Sequence, residues 1–577
     1  LFDFCGETCY DILQIYVVEN EDFMKILLAA CNAKYIHSNL AVYNLMAYAK
    51  KYKDVLVLRE FTINQPRDEI MKHIYRERPD IVCFSCYIWN ISFVKELASD
   101  LAQVMPETRF WAGGPEVSFD AEGFLSENPA FTGIMVGEGE QTFLELAEHY
   151  VEGGRALADI LGLVYRDGQE LFSTGWREPL DLSLVPFAYE TLSDFKNRII
   201  YYESSRGCPF SCSYCLSSVD KRLRFRSLDL VKKELQFFLD HGVPQVKFVD
   251  RTFNCKHDHA MAVWTYIRDH DNGITNFHFE ISADLLREEE LALLGTMRPG
   301  LIQLEIGVQS TNRETLGAIS RSMDFGRLCQ NVETIHGFAN IHQHLDLIAG
   351  LPYEDYDSFH RSFKEVYALK PQQLQLGFLK VLKGSAMERE TGGYGICHKA
   401  KEPYEVLCTR WLSYEDVLLL KEVESMVEIY YNSGQFVHTV AYLEGFFPDA
   451  FLFYEALGCY YRKKGYGEIS HSRIRRYEIL LEFAGEHPGI ERDVLIEKML
   501  MDLYLREHLK SRPSFAPYPG EWEAAVREYR RREGIPKTAH IEVFSDGRAL
   551  LFNYEKRDVL HHNAEVQEIL IKKTEVK

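Results

Sequence analysis

The sequence Cys208-Pro209-Phe210-Ser211-Cys212-Ser213-Tyr214-Cys215 carries three cysteines in a C-x3-C-x2-C array. It follows an apolar, strand-like run at 199–202, and Gly207 and Pro209 mark a loop there. Three thiolates this close together can bind one soft metal centre. A structural zinc site usually has four ligands, and this loop offers no fourth cysteine or histidine. The array therefore favours an iron–sulfur cluster with one open corner, and a zinc loop or buried structural cysteines are the alternatives.

The spacing of the array, with the aromatic residue Tyr214 before its last cysteine, resembles the radical SAM superfamily. The resemblance implies that Cys208, Cys212 and Cys215 hold a 4Fe–4S cluster. The open iron would bind the amino and carboxylate groups of S-adenosylmethionine (SAM), with Tyr214 among the cofactor contacts. Ordinary electron carriers close all four cluster positions with protein ligands, so the open corner implies a small molecule bound directly to iron.

Length, charge and cysteine content limit the class of protein. The chain has 577 residues, too many for one core, and we expect about three domains. A net charge of −21 argues against wholesale binding of a polyanion. No apolar run approaches the ~20 residues of a membrane span. The 13 cysteines are odd in number and scattered, which is typical of a reducing, cytoplasmic compartment rather than a secreted disulfide framework.

The first 23 residues have no clear periodicity and do not begin with methionine. Met24 directly precedes a clean strand pattern at 25–30. We therefore expect residues 1–23 to be an extension ahead of a native start at Met24.

Residues 24–150 alternate strand-like and helical patterns, which predicts a doubly wound, Rossmann-like parallel sheet. The predicted strands are 25–30, 55–59, 81–85, 108–112 and 132–136. Ligands on such sheets bind beyond the carboxyl ends of the strands, and the loops there are rich in small and polar residues. No G-x-G-x-x-G follows the first strand, so a dinucleotide is not favoured.

The stretches Ala112-Gly113-Gly114-Pro115-Glu116-Val117-Ser118 and Val136-Gly137-Glu138-Gly139-Glu140 resemble the cobalamin-binding domain of cobalamin-dependent radical SAM enzymes. Glycines would let backbone amides approach a large flat ring. The resemblance implies cobalamin contacts from the loops that follow the strands. The candidates are Asn32, Ser85, Tyr87, Gly113, Gly114, Glu116, Gly137, Glu138, Gly139 and Glu140.

Two features of this domain leave alternatives open. The string D-x-H-x-x-G, whose histidine ligates cobalt in many cobalamin domains, is absent, and His37 is a conceivable ligand in its place. Cys31, Cys83 and Cys86 could instead hold a second cluster, as in methylthiotransferases, although Cys83 falls inside a strand pattern.

A connector at 151–195 separates this domain from the cysteine array. Asp167-Gly168 lies between two strand-like runs and predicts a hairpin. Pro179 and Pro186 then favour an extended linker.

Residues 196–395 show six strand–helix repeats, which predict a partial (β/α)6 barrel with catalytic residues at the strand carboxyl ends. Several strings there match the superfamily. The resemblance implies that Arg321 pairs with the SAM carboxylate, since a planar guanidinium suits it, and that Glu305 binds the ribose hydroxyls. The remaining candidate cofactor contacts are Asp250, Glu280, Ser282, Gln309 and Asp346.

Residues 396–577 read as mostly helical and resemble an accessory domain of unassigned function in one subgroup of these enzymes. Cys397, His398 and Cys408 are either ligands or structural. Basic residues cluster at 462–476, with Tyr466 among them, and at 527–532. These clusters are either solvated helix faces or a surface for tRNA.

Together these features predict a cobalamin-dependent radical SAM enzyme, most simply a methyltransferase for an unactivated carbon of an unknown substrate. The resemblance implies that one SAM methylates reduced cobalamin, while another yields a 5′-deoxyadenosyl radical that removes a substrate hydrogen. An external donor of the flavodoxin or ferredoxin type would supply the electron. The alternatives are a methylthiotransferase-like tRNA enzyme, another cobalamin-assisted radical reaction such as a cyclisation, or a cobalamin- or cluster-based sensor.

Overall fold

A computed structural model describes residues 24–516, 520 and 522–572 of the chain. The predicted extension at 1–23 lies outside these residues. The chain divides into two compact units. The first contains the described residues up to Tyr202, together with 224–227 and 401–403. The second contains 203–223, 228–400 and the described residues from Tyr404 onward.

The first unit is built on a seven-stranded sheet with the order β2-β1-β3-β4-β5-β6-β7. The strands are β1 (Ile26–Asn32), β2 (Leu56–Thr62), β3 (Ile81–Ser85), β4 (Arg109–Gly113), β5 (Phe131–Met135), β6 (Leu163–Asp167) and β7 (Glu170–Ser173). The first five strands are parallel, so their carboxyl ends meet at one edge. The doubly wound sheet predicted for this region is confirmed. The Asp167-Gly168 hairpin is also present, with β6 and β7 antiparallel.

Helices cover both faces of this sheet because both faces are apolar. The helices are α1 (Leu40–Tyr48), α2 (Arg67–Glu77), α3 (Ile91–Val104), α4 (Pro115–Ser118), α5 (Ala121–Glu127) and α6 (Glu140–Glu152). Val94 and Leu97 of α3 belong to one apolar cluster, and Phe143 and Leu146 of α6 belong to the other. The loops after β1, β3, β4 and β5 are left at the carboxyl edge.

Five strands of the second unit form a parallel sheet in the order β15-β14-β13-β12-β11. They are β11 (Gln245–Phe248), β12 (Asn276–Ile281), β13 (Ile302–Gln309), β14 (His342–Ala349) and β15 (Gln373–Phe378). The remaining predicted strand, which comes first along the chain, is β8 (Ile200–Tyr202). Two short strands, β9 (Ser205–Arg206) and β10 (Arg224–Phe225), flank the cysteine array. The alternating helices are α7 (Leu228–Asp240), α8 (His257–Asp269), α9 (Glu288–Gly295), α10 (Arg313–Ala318), α11 (Phe325–Phe338) and α12 (Tyr356–Tyr367). The predicted strand–helix barrel class is confirmed.

The C-terminal region is mostly helical, as predicted, and ends in a three-stranded antiparallel sheet. Its helices are α13 (Ala386–Tyr394), α14 (Tyr414–Val427), α15 (Val437–Glu444), α16 (Ala450–Lys464), α17 (Arg473–Gly485), α18 (Arg492–Arg506) and α19 (Trp522–Glu533). Its strands are β16 (Cys397–His398), β17 (Val406–Cys408), β18 (His540–Val543), β19 (Ala549–Arg557) and β20 (Ala564–Ile569). None of the helices in the described part of the chain has the length and apolar character that a membrane crossing needs.

Helix α12 of the barrel packs against α16, so barrel and C-terminal helices share one compact unit. The rings of Phe363 and Phe451 lie 5.4 Å apart at this contact. His360 Nε2 lies 2.9 Å from Asp449 Oδ2, and the Tyr367 hydroxyl donates to Glu444. Apolar packing and partnered polar groups therefore both hold α12 in place.

Candidate functional site

The cysteine array forms a compact loop in the second unit. Cys208 and Cys212 are buried, at 8% and 6% exposure, and Cys215 is half-buried. The loop turns back on itself, because the amide of Cys215 donates to the carbonyl of Cys212 at 3.1 Å. Gly207 enters the loop with φ +93°, and a Cβ there would lie 2.6 Å from the carbonyl oxygen of Arg222. Only glycine avoids that overlap.

Arg321 reaches into this loop from beyond the end of β13. Its Nη1 donates to the sulfur of Cys212 over 3.7 Å, and its Nη2 donates to the carbonyl of Gly307. Its Nε is buried and has no hydrogen-bond partner among the described residues. A guanidinium with a buried, spare donor beside the sulfur of Cys212 fits a carboxylate held next to a metal cluster.

The loop is fastened to neighbouring elements through its backbone. The amide of Ser213 donates to the carbonyl of Ile319 at 2.9 Å, and the amide of Met387 donates to the carbonyl of Ser213 at 2.8 Å. Tyr214 packs against an apolar cluster that contains Ile319 and Met387. Burial raises the pKa of the Cys208 thiol. A cluster would have to hold this cysteine as thiolate, which positive iron favours.

Asp250 anchors the strand end that leads into the cysteine loop. It is 0% exposed and accepts from the amide of Ser204 at 2.9 Å and from the hydroxyls of Ser204 and Ser205 at 2.6 and 2.7 Å. Burial raises the pKa of Asp250 to about 7. Ser204 Oγ also lies 2.9 Å from His259 Nε2, but Ser204 is itself 0% exposed, so this serine–histidine–aspartate set is a structural network rather than a nucleophile.

The barrel strands carry polar side chains at alternate positions on one face. Glu305 of β13 lies opposite Glu280 on one side and His344 on the other, and Lys247 lies opposite His278. Lys247 Nζ and His278 Nε2 lie 2.9 and 3.0 Å from Glu305 Oε2. His344 Nε2 lies 3.0 Å from Asp346 Oδ1. Acidic and basic side chains are therefore mixed on this face.

Neighbouring charges set the protonation of this face. Burial acts to raise the pKa of Glu305, but His278 and Lys247 outweigh it and hold that pKa well below its usual range. Burial acts to lower the pKa of His344, but the bond to Asp346 raises it overall. At Glu280 burial dominates the opposing effect of Arg251 and raises the pKa to about 7. The face thus offers an ionised acid, an imidazole whose protonated form is favoured by Asp346, and a carboxyl that can donate or accept a hydrogen bond.

Glu305, His344 and Asp346 bring three ligand atoms within 4.8 Å of one another, a spacing that a metal ion could use. The ammonium group of Lys247 already lies 2.9 Å from Glu305 Oε2. A second positive charge at that oxygen would be repelled. The arrangement suits hydrogen bonding to a polar organic group better than a cation.

Two further candidates lie near the carboxyl ends of the strands. Gln309 ends β13 with φ +73°, a conformation that costs a non-glycine residue about 1–3 kcal/mol and that clusters at functional sites. Its Oε1 is buried without a hydrogen-bond partner in the described part of the chain. Ser282 instead donates its hydroxyl to Asp284 at 2.7 Å.

The backbone of the loop after β4 in the first unit lies very close to the backbone of the loop after β3. Gly114 has φ +116°, and a Cβ there would overlap the carbonyl oxygen of Cys86. Gly113 is the last residue of β4, and Gly137 follows β5 with φ +77°. Tyr87 and Trp89 stack 4.4 Å apart with an interplanar angle of 5°, and Trp89 is 41% exposed. A flat aromatic surface beside glycine-lined backbone fits a flat macrocycle.

The polar candidates of this unit are held by protein partners. Asn32 Nδ2 donates to the carbonyl of His37 at 3.0 Å, and Ser85 Oγ accepts from Asn39 at 2.9 Å. Glu116 and Glu140 are 3% and 5% exposed. The carboxylate of Glu138 accepts from Arg224 at 2.5 and 3.0 Å and from the amide of Leu180. Gly139 precedes α6 as its N-cap. Their predicted cofactor contacts stay predictions.

The three cysteines considered for a second cluster do not converge. Cys31 and Cys86 belong to the apolar cluster on one face of the sheet, and Cys83 belongs to the cluster on the other face. All three are at most 2% exposed, and burial raises the pKa of each thiol. They therefore serve as small buried hydrophobic residues. His37, the conceivable cobalt ligand, has its Nδ1 2.7 Å from the hydroxyl of Tyr201.

Sequence reasoning missed three residues that the structure brings to the polar face of the barrel: Lys247, His278 and His344. Each is flanked in its strand by buried apolar or backbone-paired residues. The signal was a polar residue at every second position of β11, β12 and β14, which predicts one face lined by polar side chains.

Three sequence families match consecutive parts of the chain. A B12 binding domain matches residues 26–147, the radical SAM superfamily matches 202–366, and a protein of unknown function, DUF4080, matches 392–571.

Several curated relatives are named methyltransferases, and two are named cyclases. The chain is 25% identical over 331 residues to an uncharacterized methyltransferase of Pyrococcus horikoshii, covering 56% of this chain and 71% of that protein. It is 24% identical over 306 residues to the cobalamin-dependent radical SAM methyltransferase TokK of Streptomyces tokunonensis, covering 49% of this chain. The chain spans only 44% of the length of TokK.

Two solved structures share the fold. The cobalamin-dependent SAM radical enzyme OxsB, with aqua-cobalamin and SAM bound, aligns with a TM-score of 0.61 at 14% identity over 83% of this chain and 78% of that chain. The radical SAM methyltransferase TsrM of Kitasatospora setae, with cobalamin and a 4Fe–4S cluster bound, aligns with a TM-score of 0.56 at 16% identity over 66% of this chain and 81% of that chain.

The chain therefore contains a B12-binding domain, a radical SAM domain and a DUF4080 region, in that order along the sequence. The cofactors predicted from the sequence, a 4Fe–4S cluster, SAM and cobalamin, are those of the two matched families.

Proposed function

We propose that this enzyme transfers a methyl group from cobalamin to an unactivated carbon of a polar substrate after a hydrogen atom has been removed from that carbon. The observation that carries the proposal is Arg321, buried beside the sulfur of Cys212 with a donor to spare, in a chain that also has a B12-binding domain. The methyltransferase names of several relatives support the reaction type.

We assign the cluster to Cys208, Cys212 and Cys215 and the SAM carboxylate to Arg321. In this proposal Gln309 faces the ribose from the end of β13. Glu305 lies four residues earlier, about 13 Å deeper along the strand, where Lys247 and His278 already engage its carboxylate. Gln309 therefore suits the ribose better than Glu305 does.

The bound groups supply the chemistry, namely a 5′-deoxyadenosyl radical from SAM and the cluster and a methyl group from cobalamin. The residues of this chain bind and orient. Asp250 fixes the strand end ahead of the cysteine loop through three hydrogen bonds. Ile319 and Met387 fix Ser213 within the loop. These hydrogen bonds hold the guanidinium of Arg321 and the three thiols in fixed positions relative to one another.

The substrate is assigned to the polar face of the barrel, lined by Glu280, Glu305, His344 and Asp346. Burial raises the pKa of Glu280 and Asp346, and the neighbouring Asp346 raises the pKa of His344, so the face can both donate and accept hydrogen bonds. A hydrocarbon substrate would remove water from this polar face and supply no hydrogen bonds in exchange. A substrate with several hydroxyl, amide or carboxyl groups fits better.

The test is isotope labelling in cells with and without the gene, grown on methionine that carries a CD3 methyl group. We expect a polar metabolite, peptide or nucleoside that gains a CD3 group only when the gene is present and loses it in cells carrying Cys212→Ala. The purified enzyme, reconstituted without oxygen, should form 5′-deoxyadenosine from SAM. Gene-dependent products without a transferred methyl group would overturn methyl transfer while leaving radical chemistry intact.

A second candidate reaction is an oxidative cyclisation, because two relatives, at 22% and 24% identity, are named anaerobic magnesium-protoporphyrin IX monomethyl ester cyclase. The labelling experiment separates the two reactions, since a cyclisation gives a product that has lost hydrogen and gained no CD3 group. For either reaction we propose a flavodoxin or ferredoxin as the external electron donor and the cytoplasm as the compartment.

A further inference from the structure

The polypeptide between the barrel and the C-terminal helices forms a short antiparallel hairpin from β16 and β17. Cys397 of β16 lies directly opposite Cys408 of β17 in this pairing. Cys397 is exposed and Cys408 is half-buried, so both can be reached from solvent. Neither cysteine has a role in the proposed reaction.

Two cysteines in this register have the spacing of a disulfide. Directly opposed residues of antiparallel strands have Cα atoms about 4.5–5.5 Å apart. Disulfides form when the Cα atoms are roughly 4.4–6.8 Å apart. Burial raises the pKa of the Cys408 thiol, and a hydrogen bond with Cys397 raises it further. The two sulfur atoms therefore already face each other as thiols.

The inner side of this hairpin is tied to the cysteine loop. The amide of Val406 donates to the carbonyl of Leu379 at 2.8 Å. Ile396 and Val406 are buried in the same apolar cluster as Ile319, and Tyr214 of the cysteine loop packs against that cluster. A covalent bond across the hairpin would fix two of the strands that support this cluster.

We propose that Cys397 and Cys408 form a reversible dithiol–disulfide site that exchanges with a small-molecule or protein disulfide. The thiolate of Cys397 attacks one sulfur of the oxidant, and a mixed disulfide forms as the first thiol leaves. The thiolate of Cys408 then displaces the second thiol and closes the intrachain S–S bond. The two protons of the cysteines pass to the two leaving thiolates, and the two electrons reduce the oxidant.

The test uses the purified full-length holoenzyme, equilibrated without oxygen in glutathione mixtures from fully reduced to fully oxidised. Acid quenching, alkylation and peptide mass spectrometry then report each cysteine. We expect both alkyl adducts to disappear together and a Cys397–Cys408 cross-linked peptide, lighter by two hydrogens, to replace them. Reduction should reverse the change. In Cys408→Ser, Cys397 should stay alkylatable or carry glutathione.

Cys329 and Cys459 are the matched controls, since each is half-exposed on a helix. They should keep their adducts across the range in which the pair closes. Full alkylation of Cys397 and Cys408 in oxidised glutathione would overturn the proposal. The proposal would also be overturned if a bound thiophilic metal protected both cysteines from alkylation in reduced glutathione. Metal analysis of the same sample would reveal such a metal.

Discussion

The guanidinium group of Arg321 contacts the sulfur of Cys212 over 3.7 Å, although 109 residues separate the two in sequence. Nη2 is held by the carbonyl of Gly307, while Nε is buried and has no partner in the described residues. A charged donor left unsatisfied in a dry site is costly unless a ligand accepts from it. Arg321 is therefore the residue on which the assignment of the SAM carboxylate depends.

Arg321→Lys should weaken SAM binding by about 10- to 100-fold. Lysine keeps the charge but loses the planar fork, and a hydrogen bond to a charged group contributes about 1.5–3 kcal/mol. Equilibrium dialysis of radiolabelled SAM against the anaerobically reconstituted enzyme measures the change. Arg268→Lys, on the exposed face of α8, is the control and should leave the affinity unchanged. An unaltered affinity in Arg321→Lys, with iron content intact, would contradict the assignment.

Cys212→Ala should abolish the brown chromophore after anaerobic reconstitution with iron and sulfide. Two thiolates do not hold a 4Fe–4S cluster that already leaves one iron open. Iron analysis and the visible absorption spectrum measure the loss. Cys329→Ala removes a half-exposed cysteine of α11 instead and should keep the full spectrum. A full-strength spectrum in Cys212→Ala would rule out the cluster at this loop.

Gly114→Ala should abolish binding of hydroxocobalamin, which we expect at about one per chain in the parent enzyme. A Cβ at Gly114 would overlap the carbonyl oxygen of Cys86 at φ +116°, so the loops after β3 and β4 would have to move apart. Gly153→Ala is the matched control, since Gly153 also has positive φ, +70°, but has nothing within 4 Å. It should cost only about 1 kcal/mol of stability and leave binding intact. Tight binding by a folded Gly114→Ala would show that this loop is not used.

Glu354→Gln should make the stability of the protein less sensitive to a rise in pH from 5 to 8. Burial raises the pKa of Glu354 from 4.5 to about 7, although Ser310 and Ser362 donate to its carboxyl. Between these two pH values the folded protein holds a proton that the unfolded chain has lost, so the unfolding free energy falls as pH rises. The full effect is on the order of 3 kcal/mol above pH 7.

Thermal unfolding midpoints measured from pH 5 to pH 8 test this expectation. The parent protein should lose more stability across the range than Glu354→Gln does. Glu365→Gln, at an exposed position of the same helix α12, should behave like the parent. Parallel curves for parent and Glu354→Gln would mean that this carboxyl does not take up the proton.

The basic residues of the C-terminal helices should not bind tRNA. Four of these cations have a glutamate oxygen within 3.2 Å, which cancels much of the charge that would attract phosphate. The pairs are Arg462 with Glu422, Lys463 and Lys464 with Glu486, and Arg475 with Glu482. A gel-shift titration with total tRNA at about 50 mM salt measures binding. A complex that weakens steeply with added salt would contradict this expectation.

Local patterns were enough to predict the strands and helices that form the two sheets. The alternation of apolar runs predicted β3 at 81–85, the span it has in the structure. Strand β13 continues to Gln309 past a register shift between Gly307 and Gln309. Such an irregularity depends on pairing with β14, which the local sequence does not encode.

Contacts between distant residues explain why much of the site could not be predicted. Glu305 stays a prediction for the SAM ribose, and its surroundings are set by Lys247 and His278, which come from two other strands and are not evident from the local sequence. Glu138 was expected to face cobalamin, and its carboxylate is bonded by Arg224, 86 residues away. The prediction that Arg321 binds the SAM carboxylate depended on the resemblance to a family. No periodicity in the sequence indicates that Arg321 lies near Cys212.

The contact between α12 and α16 limits where the chain can be truncated. Phe363 and Val366 on one side and Phe451 and Tyr454 on the other are all 0% exposed. A barrel truncated at residue 395 would expose this apolar surface to water and would tend to aggregate. The barrel is thus expected to need the DUF4080 region that covers it, and neither half is expected to remain soluble by itself.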